Sequence, residues 1–279
     1  MQAAILIVGD EILSGHTQDT NSNFLAKRLF ALGVDLVEMR TVGDEAHAIQ
    51  GALWELQERR EAELVIVAGG LGPTHDDRTV AAVARANGRS LVLDEATWRR
   101  FLERHRQRHE AGADPRPAPD AATRKMALVP VGATVFDNKA GAAPGLALER
   151  TLVTRPGSAW TIVLPGVPRE LETLWGEHIE PFVTALAGGR ATRRHVAELV
   201  YHGYESEMAT LLDESEAVDD QVTVGSYPQW GEGRVVLRLS GRDKGRVEKA
   251  TERLVARLEE EGHRVERMSH PSRQEPTPT

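Results

Sequence analysis

The sequence predicts an α/β protein with a second, smaller domain. Short runs of β-branched residues alternate with amphipathic segments from Met1 to about Leu186, which is typical of strands joined by helical crossovers. The apolar run Leu64–Ala68 is unbroken and flanked by charge and glycine, so we expect a parallel strand covered on both faces, at the centre of the sheet. With 279 residues, the chain is long enough for two hydrophobic cores.

Apolar periodicity and the glycines and prolines that end each segment predict the elements of the first domain. Strands are expected at residues 4–8, 34–40, 64–68, 126–129, 134–136, 146–148 and 161–164. Helices are expected at residues 21–32, 45–60, 94–110 and 168–186, the last of them opened by Pro168 at its first position. Residues 111–120, with three prolines and a glycine, predict a loop inside the domain. Together these elements predict a three-layer α/β/α domain with a mostly parallel sheet, spanning residues 1–187.

The remaining elements predict a small α+β domain at residues 190–268, after a boundary at Gly188 and Gly189. Strands are expected at residues 194–202, 221–227 and 234–239, a short helix at 205–212 and a long helix at 244–261. Residues 269–279 carry three prolines and few apolar side chains, so we expect a disordered tail. We find no internal repeat.

Composition limits the classes of function. The absence of cysteine excludes disulfides, thiolate catalysis and metal sites built on sulfur, so any metal must be held by oxygen or imidazole. The first apolar run ends at Gly9 and is too short for a signal peptide or a membrane span, which predicts a cytoplasmic protein without membrane contact. A net charge of −8 argues against nucleic acid and favours a small-molecule partner.

Two acidic loops follow predicted parallel strands. Asp10 and Glu11 come directly after the first strand, at the edge where ligands bind in such sheets. Carboxylates there can hold a divalent cation, and Thr20 or Asn21 can cap the next helix and leave its N–H groups for a phosphate. An ordinary turn followed by an ordinary cap explains the same residues equally well.

The loop after residues 64–68 reads Gly-Gly-Leu-Gly-Pro-Thr-His-Asp-Asp from Gly69 to Asp77. Its glycines allow a ligand to approach the backbone closely, and Thr74 with Asp77 predicts a capping box for the following helix. It is neither a Walker loop nor a GxGxxG fingerprint. Because a cap alone would not need three glycines, we interpret it as a phosphate-binding loop with adjacent carboxylates.

Two further loops, at residues 138–145 and 165–170, contain few apolar residues. Lys139 and Arg169 could supply positive charge for a phosphate, and Gly166 permits close approach before a helix N-terminus. By themselves, two tight turns are the simpler interpretation. His105 and His109 have helical i, i+4 spacing but lie among arginines without an HExxH carboxylate, so we expect a solvated helix face.

Taken together, these blocks resemble the molybdopterin-binding fold family, and within it the amino-terminal part of the competence/damage-inducible protein A (CinA) group. The resemblance rests on GDEILSG at 9–15, DTNS at 19–22, GGLGPTHDD at 69–77, RKMALVP at 124–130, NKAGAAPG at 138–145 and LPGVPRE at 164–170. It covers residues 1 to about 186, and residues 201–262 resemble the KH-type domain that follows in CinA proteins. Because the sequence stops where a nicotinamide mononucleotide deamidase domain often begins, we do not expect that activity.

The resemblance implies a divalent-metal-dependent pyrophosphatase that cleaves ADP-ribose or a related nucleotide diphosphate to AMP and a sugar phosphate. By block matching, Asp10, Glu11 and Asp77 would hold Mg²⁺ or Co²⁺, with K⁺ as a further candidate ion, and Asp76 would orient water. Asp10, Asp76 and Asp77 are the expected catalytic residues. Substrate contacts would come from the remaining motif positions: Glu11, Asn21, Gly69, Gly70, Gly72, Thr74, Lys125, Asn138, Lys139, Gly141, Gly145 and Gly166. A homodimer is the expected assembly.

Departures from the family pattern leave alternatives open. Ala68 and Ala142 stand where many relatives carry threonine, so two hydroxyl donors are absent and the substrate preference is uncertain. The KH-like region lacks the GxxG loop that clamps RNA, which favours a structural or dimer-forming role. The alternatives are a molybdopterin adenylyltransferase-like enzyme and a pterin- or nucleotide-binding module without turnover.

Overall fold

The structure is a computed structural model that describes residues 1–188, 194–208, 211–212, 218–229, 231 and 233–268. The chain divides into two compact units, Met1–Ala191 and Thr192–Thr279. Gly189, half of the predicted domain boundary, and the predicted disordered tail at 269–279 lie outside the described residues. In the part of the chain that is described, no helix has the length and apolar character needed to cross a membrane.

The first unit is built on a six-stranded sheet with the order β2-β1-β3-β8-β7-β6. The six strands are β1 (Gln2–Val8), β2 (Asp35–Val42), β3 (Leu64–Ala68), β6 (Thr134–Phe136), β7 (Gly145–Thr151) and β8 (Ser158–Leu164). The first four in spatial order are parallel, and β7 runs antiparallel to both of its neighbours, β8 and β6. A separate two-stranded sheet pairs β4 (Leu91–Leu93) with β5 (Leu128–Pro130). The predicted α/β class and mostly parallel sheet are confirmed, and β3 lies inside the sheet as expected.

The described residues of this unit form eight α-helices. They are α1 (Asp10–Leu13), α2 (Asn21–Ala31), α3 (Ala46–Trp54), α4 (Thr79–Ala86), α5 (Glu95–Glu110), α6 (Ala121–Lys125), α7 (Pro168–Leu174) and α8 (Glu180–Ala187). A π-helical turn, Glu55–Arg59, continues α3, and another, Trp175–Ile179, joins α7 to α8. Pro168 stands in the first turn of α7, as its fixed φ predicts.

Alternation along β3 explains why both faces of the sheet are covered. Leu64, Ile66 and Ala68 point into one core with α2, α7 and α8, whereas Val65 and Val67 point into another core with α3 and α4. All five side chains are buried. A strand buried on both faces has no polar alternation, which is the property that identified this segment in the sequence.

The second unit is a four-stranded antiparallel sheet with the order β10-β11-β9-β12. Its elements are β9 (His195–His202), β10 (Val222–Gln229), β11 (Arg234–Gly241), α9 (Lys244–Glu260) and β12 (Arg264–Arg267). Val247, Leu254 and Leu258 of α9 pack into its core. The helix predicted at 205–212 begins as a 3₁₀ turn, Glu205–Glu207, and residues 209–210 lie outside the described part.

Candidate functional site

Four loops leave the first sheet at one edge, because β2, β1, β3 and β8 are adjacent and parallel. Val8 pairs with Val42, and Ala68 pairs with both Ile7 and Leu164, so the strands end at nearly the same height. Ligands of open parallel sheets bind at the carboxyl ends of the strands. This edge carries the Gly-Asp-Glu and Gly-rich motifs that the sequence singles out.

Asp10 is held by a residue that the sequence analysis missed. The backbone N–H of Asp10 donates to Asp44 Oδ2 at 3.0 Å, across the gap between the ends of β1 and β2. A Cβ placed on Gly43 would lie 2.3 Å from Asp10 Oδ1, so only glycine leaves room for that carboxylate. The signal was present, because Val-Gly-Asp-Glu occurs at 8–11 and again at 42–45.

The carboxylates at this edge repel one another. Burial raises the pKa of the Asp44 carboxyl above its ordinary range; the N–H of Asp10 opposes that rise, and the negative charges of Asp10, Glu11 and Asp76 add to it. Carboxylates from the loops after β1, β2 and β3 are therefore close enough to interact. A bound cation would relieve this concentration of like charge.

The loop after β3 needs its first two glycines for backbone reasons. Gly69 has φ 109°, and a Cβ there would lie 2.1 Å from the carbonyl oxygen of Val8. Gly70 has φ 69°, and a Cβ there would lie 2.3 Å from Thr79 Oγ1. Both positions combine the left-handed region with a close approach, which only glycine tolerates.

Thr79 is a second residue that the sequence analysis missed. It is the first residue of α4, it is fully buried, and its hydroxyl has no hydrogen-bond partner among the described residues. No side chain caps α4, whose N-cap residue is Arg78. An uncapped helix N-terminus beside a buried, unpaired hydroxyl can donate hydrogen bonds to an anion.

The predicted capping box is wrong. Thr74 and Asp77 do interact, since the N–H of Thr74 donates to Asp77 Oδ2 at 2.9 Å and the Thr74 hydroxyl oxygen lies 2.5 Å from the same oxygen. However, α4 begins only at Thr79, so the pair closes the loop rather than capping the helix. A Cβ on Gly72 would lie 2.5 Å from Asp77 Oδ2, which explains the third glycine of the motif.

Asp76 and Lys125 also meet at this loop. The hydroxyl of Thr74 donates to Asp76, and this bond, with the Asp76 backbone N–H, holds the pKa of Asp76 below its ordinary range, to which the charge of Lys125 contributes. The ammonium group of Lys125 donates to the carbonyl oxygen of Thr74. Lys125 therefore connects the RKMALVP block to the Gly-rich loop, and Asp76 is ionised at neutral pH.

Asn21 connects the loops after β1 and β8. Its Nδ2 donates to the carbonyl oxygen of Gly166 at 2.7 Å, and a Cβ on Gly166 would lie 3.3 Å from the Cα of Gly69. The expectation that Thr20 or Asn21 caps α2 through its side chain is wrong, because Asp19 Oδ1 accepts the N–H of Ser22 instead. The side chain of Asn21 is used to position the β8 loop.

The NKAGAAPG loop is more than a tight turn. Asn138 is fully buried, and its Nδ2 donates to the carbonyl oxygen of Ala143 at 2.8 Å and to Glu170 Oε2 at 2.7 Å. Gly141 lies against the Glu170 carboxylate, and Gly145 packs on Leu174. Asn138 therefore fastens this loop to α7, a tertiary contact that the interpretation as a tight turn does not include.

The two basic side chains of these loops point into solvent. Lys139 is 67% exposed, and its Nζ lies 3.2 Å from Glu177 Oε2. Arg169, in the first turn of α7, is exposed as well. Neither side chain forms a buried ion pair, so the positive charge of each is accessible to a ligand.

The expectation that His105 and His109 form a solvated helix face is wrong for His105, and both rings are engaged. His105 is buried, with Nε2 at 2.9 Å from the carbonyl oxygen of Arg116 and Nδ1 at 3.6 Å from Asp114 Oδ2. His109 Nδ1 lies 2.8 Å from the carbonyl oxygen of Asp114. The two histidines hold the 111–120 loop on α5, which is a structural role.

Within the described residues, no group of three or more carboxylates and histidines is arranged to hold one metal ion. The backbone N–H of Asp10 is hydrogen-bonded to the carboxylate of Asp44, whereas the carboxylate of Asp77 contacts the hydroxyl of Thr74. The donor set at this edge consists of carboxylate oxygens, which suits a hard divalent cation. The chemistry of the side chains therefore fits such an ion. The substrate or water would supply the ligands that these side chains do not.

Comparison with known proteins agrees with the fold. The sequence profile of the probable molybdopterin binding domain matches residues 4–185, and that of the FAD synthase middle domain matches residues 193–265. Protein TK1472 of Thermococcus kodakarensis is 36% identical over 262 residues, which are 92% of this chain and 97% of that protein.

Two further relatives carry the name CinA. A CinA-like protein of Mycobacterium tuberculosis is 36% identical over 249 residues, which are 85% of this chain and 55% of that protein. The crystal structure of CinA from Thermoplasma acidophilum, described as having unknown function, matches with a TM-score of 0.55 and 29% identity, over 64% of this chain and 96% of that chain. On this fold, these motifs and these relatives, the chain belongs to the molybdopterin-binding domain family, as a member with the MoaB/MogA-like amino-terminal domain of CinA proteins.

Proposed function

We propose that the first unit hydrolyses a nucleotide diphosphate of the ADP-ribose class to AMP and a sugar phosphate, with a divalent cation. The observation that carries the proposal is the meeting of carboxylates from three strand ends, those of Asp10, Asp44 and Asp76, beside a glycine loop and an uncapped helix. A binding site for an anion alone would not place carboxylates there, because they repel phosphate. Carboxylates next to phosphate donors are typical of metal-assisted phosphoryl chemistry.

Asp10, Glu11 and Asp77, with Asp44 added, are the residues that would hold Mg²⁺ or Co²⁺. A bound divalent cation would neutralise charge on the diphosphate oxygens and polarise the phosphorus. A potassium ion is a further candidate at the same edge.

The chain's own residues have distinct roles in this proposal. Asp76, ionised and exposed, would orient the attacking water. The backbone at Gly70 and Gly72, the Thr79 hydroxyl and the first turn of α4 would donate hydrogen bonds to phosphate oxygens. Lys125 would keep the glycine loop in place through Thr74 and add positive charge.

The loops on the other side of the edge would take the remainder of the substrate. Asn21 and Asn138 position the loops at 165–170 and 138–145 through their hydrogen bonds. Gly141, Gly145 and Gly166 allow those loops to pack closely. Their arrangement would set the substrate preference without taking part in bond cleavage.

A second candidate is transfer of an adenylyl group to molybdopterin. It is favoured by one observation, the match of residues 4–185 to the probable molybdopterin binding domain. It would use the same edge, because an adenylyl donor also presents phosphates to the metal and glycine loop.

One experiment separates the candidates. The purified full chain is incubated with ADP-ribose and Mg²⁺ or Co²⁺, with and without EDTA, and in parallel with molybdopterin, ATP and Mg²⁺, and products are resolved by chromatography and ³¹P NMR. We expect AMP and ribose phosphate in the first mixture only, with turnover abolished by EDTA. Adenylylated molybdopterin with intact ADP-ribose would replace the proposal by the second candidate, and binding without products would leave a non-catalytic module.

A further inference from the structure

A cleft of about 480 Å³ lies in the first unit, between the C-terminal half of α5 and the loop at residues 138–141. Its lining includes three basic side chains, those of Arg104, Arg108 and Lys139, and no acidic one. A cleft whose charged side chains are all positive attracts anions, because its walls exclude part of the solvent that would screen those charges.

The cations of α5 form a stripe separate from its acidic residues. Arg100, Arg104 and Arg108 are spaced by four residues and therefore share one side of a helix that turns roughly 100° per residue. Glu103 and Glu110 lie on a different side, where both pair with Arg106, at 2.8 and 3.6 Å. The acids of this helix thus neutralise Arg106, and Asp137 pairs with Arg100. Among the described residues, Arg104 and Arg108 have no carboxylate partner.

Charge repulsion between Arg100 and Arg104 persists, although Asp137 pairs with Arg100. Burial lowers the pKa of Arg100 and the neighbouring charge of Arg104 lowers it further. Like charges at i, i+4 destabilise a helix. The C-terminal dipole of α5 accounts for a cation at Arg108, in the last turn, but not for one at Arg104.

The cleft has a defined wall as well as a charge. Arg104 Nη1 donates to the carbonyl oxygen of Gly141 at 2.6 Å, and Arg100 Nη2 donates to that of Ala142 at 3.2 Å, so the arginine stripe fixes the backbone of the opposite loop. Lys139 lies on that loop, where it is largely exposed and forms a surface pair with Glu177 at 3.2 Å. Among the described residues, the guanidinium of Arg108 has no carboxylate partner, so it is available for a ligand.

The geometry points to a phosphate-binding site in this cleft, formed by Arg104, Arg108 and Lys139, which takes the dianion of a phosphomonoester. The site uses none of the carboxylates at the strand ends and needs no metal. It rests on the proposed function only in that Lys139 and Gly141 are also expected substrate contacts, and its occupancy is measured without turnover. Guanidinium groups are suited to it, since their paired donors match two phosphate oxygens.

The test is calorimetric titration of the full chain, in EDTA, with inorganic phosphate, AMP and sodium sulfate, on the wild type and the variants Arg108→Ala, Lys139→Ala and Arg106→Ala. We expect saturable binding of phosphate and AMP, weakened about tenfold or more by Arg108→Ala or Lys139→Ala. Arg106→Ala removes the same charge from the other side of α5 and should leave the affinity within about twofold.

The ligand series distinguishes sources of the phosphate group. Tighter binding of AMP than of inorganic phosphate would assign the site to nucleotides, and equal binding would assign it to the phosphate group alone. Absence of saturable binding, equal weakening by Arg106→Ala, or affinity unchanged in Arg108→Ala and Lys139→Ala would overturn the site. Failure of ADP-ribose hydrolysis in the wild type would not affect this result.

Discussion

The backbone N–H of Asp10 and the carboxylate of Asp44 form a hydrogen bond of 3.0 Å that joins the ends of β1 and β2. Each residue stands two positions after the end of a buried or half-buried strand, directly after a glycine, and each belongs to a Val-Gly-Asp-Glu tetrapeptide. Parallel pairing of β1 with β2 places the two copies side by side, with Val8 opposite Val42. The second copy thus positions the first, and Asp44 adds a carboxylate to the candidate site.

We predict that Asp44→Asn lowers kcat/KM for ADP-ribose hydrolysis about tenfold or more, on the order of 1–2 kcal/mol of transition-state stabilisation. Asparagine retains an oxygen that can accept the N–H of Asp10, so the loop should stay in place while a negative charge is lost. The measurement is steady-state kinetics across a range of Mg²⁺ concentrations. The variant should need more Mg²⁺ for half-maximal activity, because it binds the ion more weakly.

The matched control is Asp35→Asn, which alters a carboxylate at the opposite end of the same strand. It should leave kcat/KM unchanged within about twofold. Equal losses in the two variants would mean that the effect is a general destabilisation of β2, and full activity in Asp44→Asn would remove this residue from the site.

Asp77→Asn should also reduce turnover about tenfold or more. Asp77 is close to Thr74 and Gly72, so the variant tests the loop geometry together with the charge. Asp76→Asn should lower kcat with a smaller change in KM, because a residue that orients water acts on the chemical step. Retained kcat in both variants would contradict the assignment of this loop to catalysis.

His105→Ala should change stability rather than chemistry. The ring is buried and holds the Arg116 carbonyl, so its loss leaves a cavity and removes a hydrogen bond of the 111–120 loop, which costs about 1–3 kcal/mol of unfolding free energy. Chemical denaturation and kcat measured on the same preparation test this, with the exposed His16→Ala as control. Loss of kcat with unchanged stability would instead make His105 part of the catalytic machinery.

Glu58 anchors another loop of the first unit from the π-helical turn after α3. Its buried carboxylate accepts from Arg150 Nη2 at 2.9 Å, from the N–H groups of Val153 and Thr154 at 3.0 Å, and from the hydroxyl of Thr154 at 2.5 Å. Burial raises the pKa of Glu58, but the hydrogen bonds of Thr154 and Val153 and the charge of Arg150 together lower it below the ordinary value. The π turn therefore places an ionised carboxylate inside the protein.

The ion pair of Glu58 with Arg150 predicts that the stability of the fold falls at acidic pH. A carboxyl whose folded pKa is depressed stabilises the fold above the unfolded pKa of about 4.5, and that contribution is lost as the pH falls through the folded pKa. Glu58→Gln should cost about 2–4 kcal/mol at pH 7, because Arg150 loses its partner, and should flatten the stability profile below pH 4.5. Urea unfolding at several pH values measures both effects.

The control for this prediction is Glu103→Gln, an exposed carboxylate that pairs with Arg106 on the surface of α5. Surface pairs contribute little, so the stability of Glu103→Gln should stay close to that of the wild type. A Glu58→Gln variant as stable as the Glu103→Gln variant at neutral pH would contradict the buried anchor.

The central sheet and the edge that carries the site were predictable, because they depend on local pattern. Leu64–Ala68 is apolar throughout since both faces are covered, and the glycines after Val8 and Ala68 mark where strands end. Parallel strands then bring those loops to one edge by a general rule. Periodicity alone assigns no function to these residues, and their expected roles came from the family motifs.

What escaped prediction depends on contacts between distant segments. Asp44 becomes a partner of Asp10 only when β2 lies beside β1, and strand order is not readable from periodicity. His105 is buried because the 111–120 loop folds back on α5, whereas its arginine-rich surroundings indicate solvent. Asn138 is likewise buried and hydrogen-bonded to Glu170, a tertiary contact that no local sequence pattern near either residue predicts.

The fragment 1–188 should fold by itself and retain ADP-ribose hydrolysis. Both core clusters of the first unit are formed by residues 3–183, and every candidate catalytic or binding residue lies between Asp10 and Gly166. We therefore expect a cooperative unfolding transition by circular dichroism and a kcat within about threefold of that of the full chain. The matched control is the same fragment carrying Asp44→Asn, which should fold but lose activity. A folded fragment without turnover, beside an active full chain, would mean that the second unit contributes to the site.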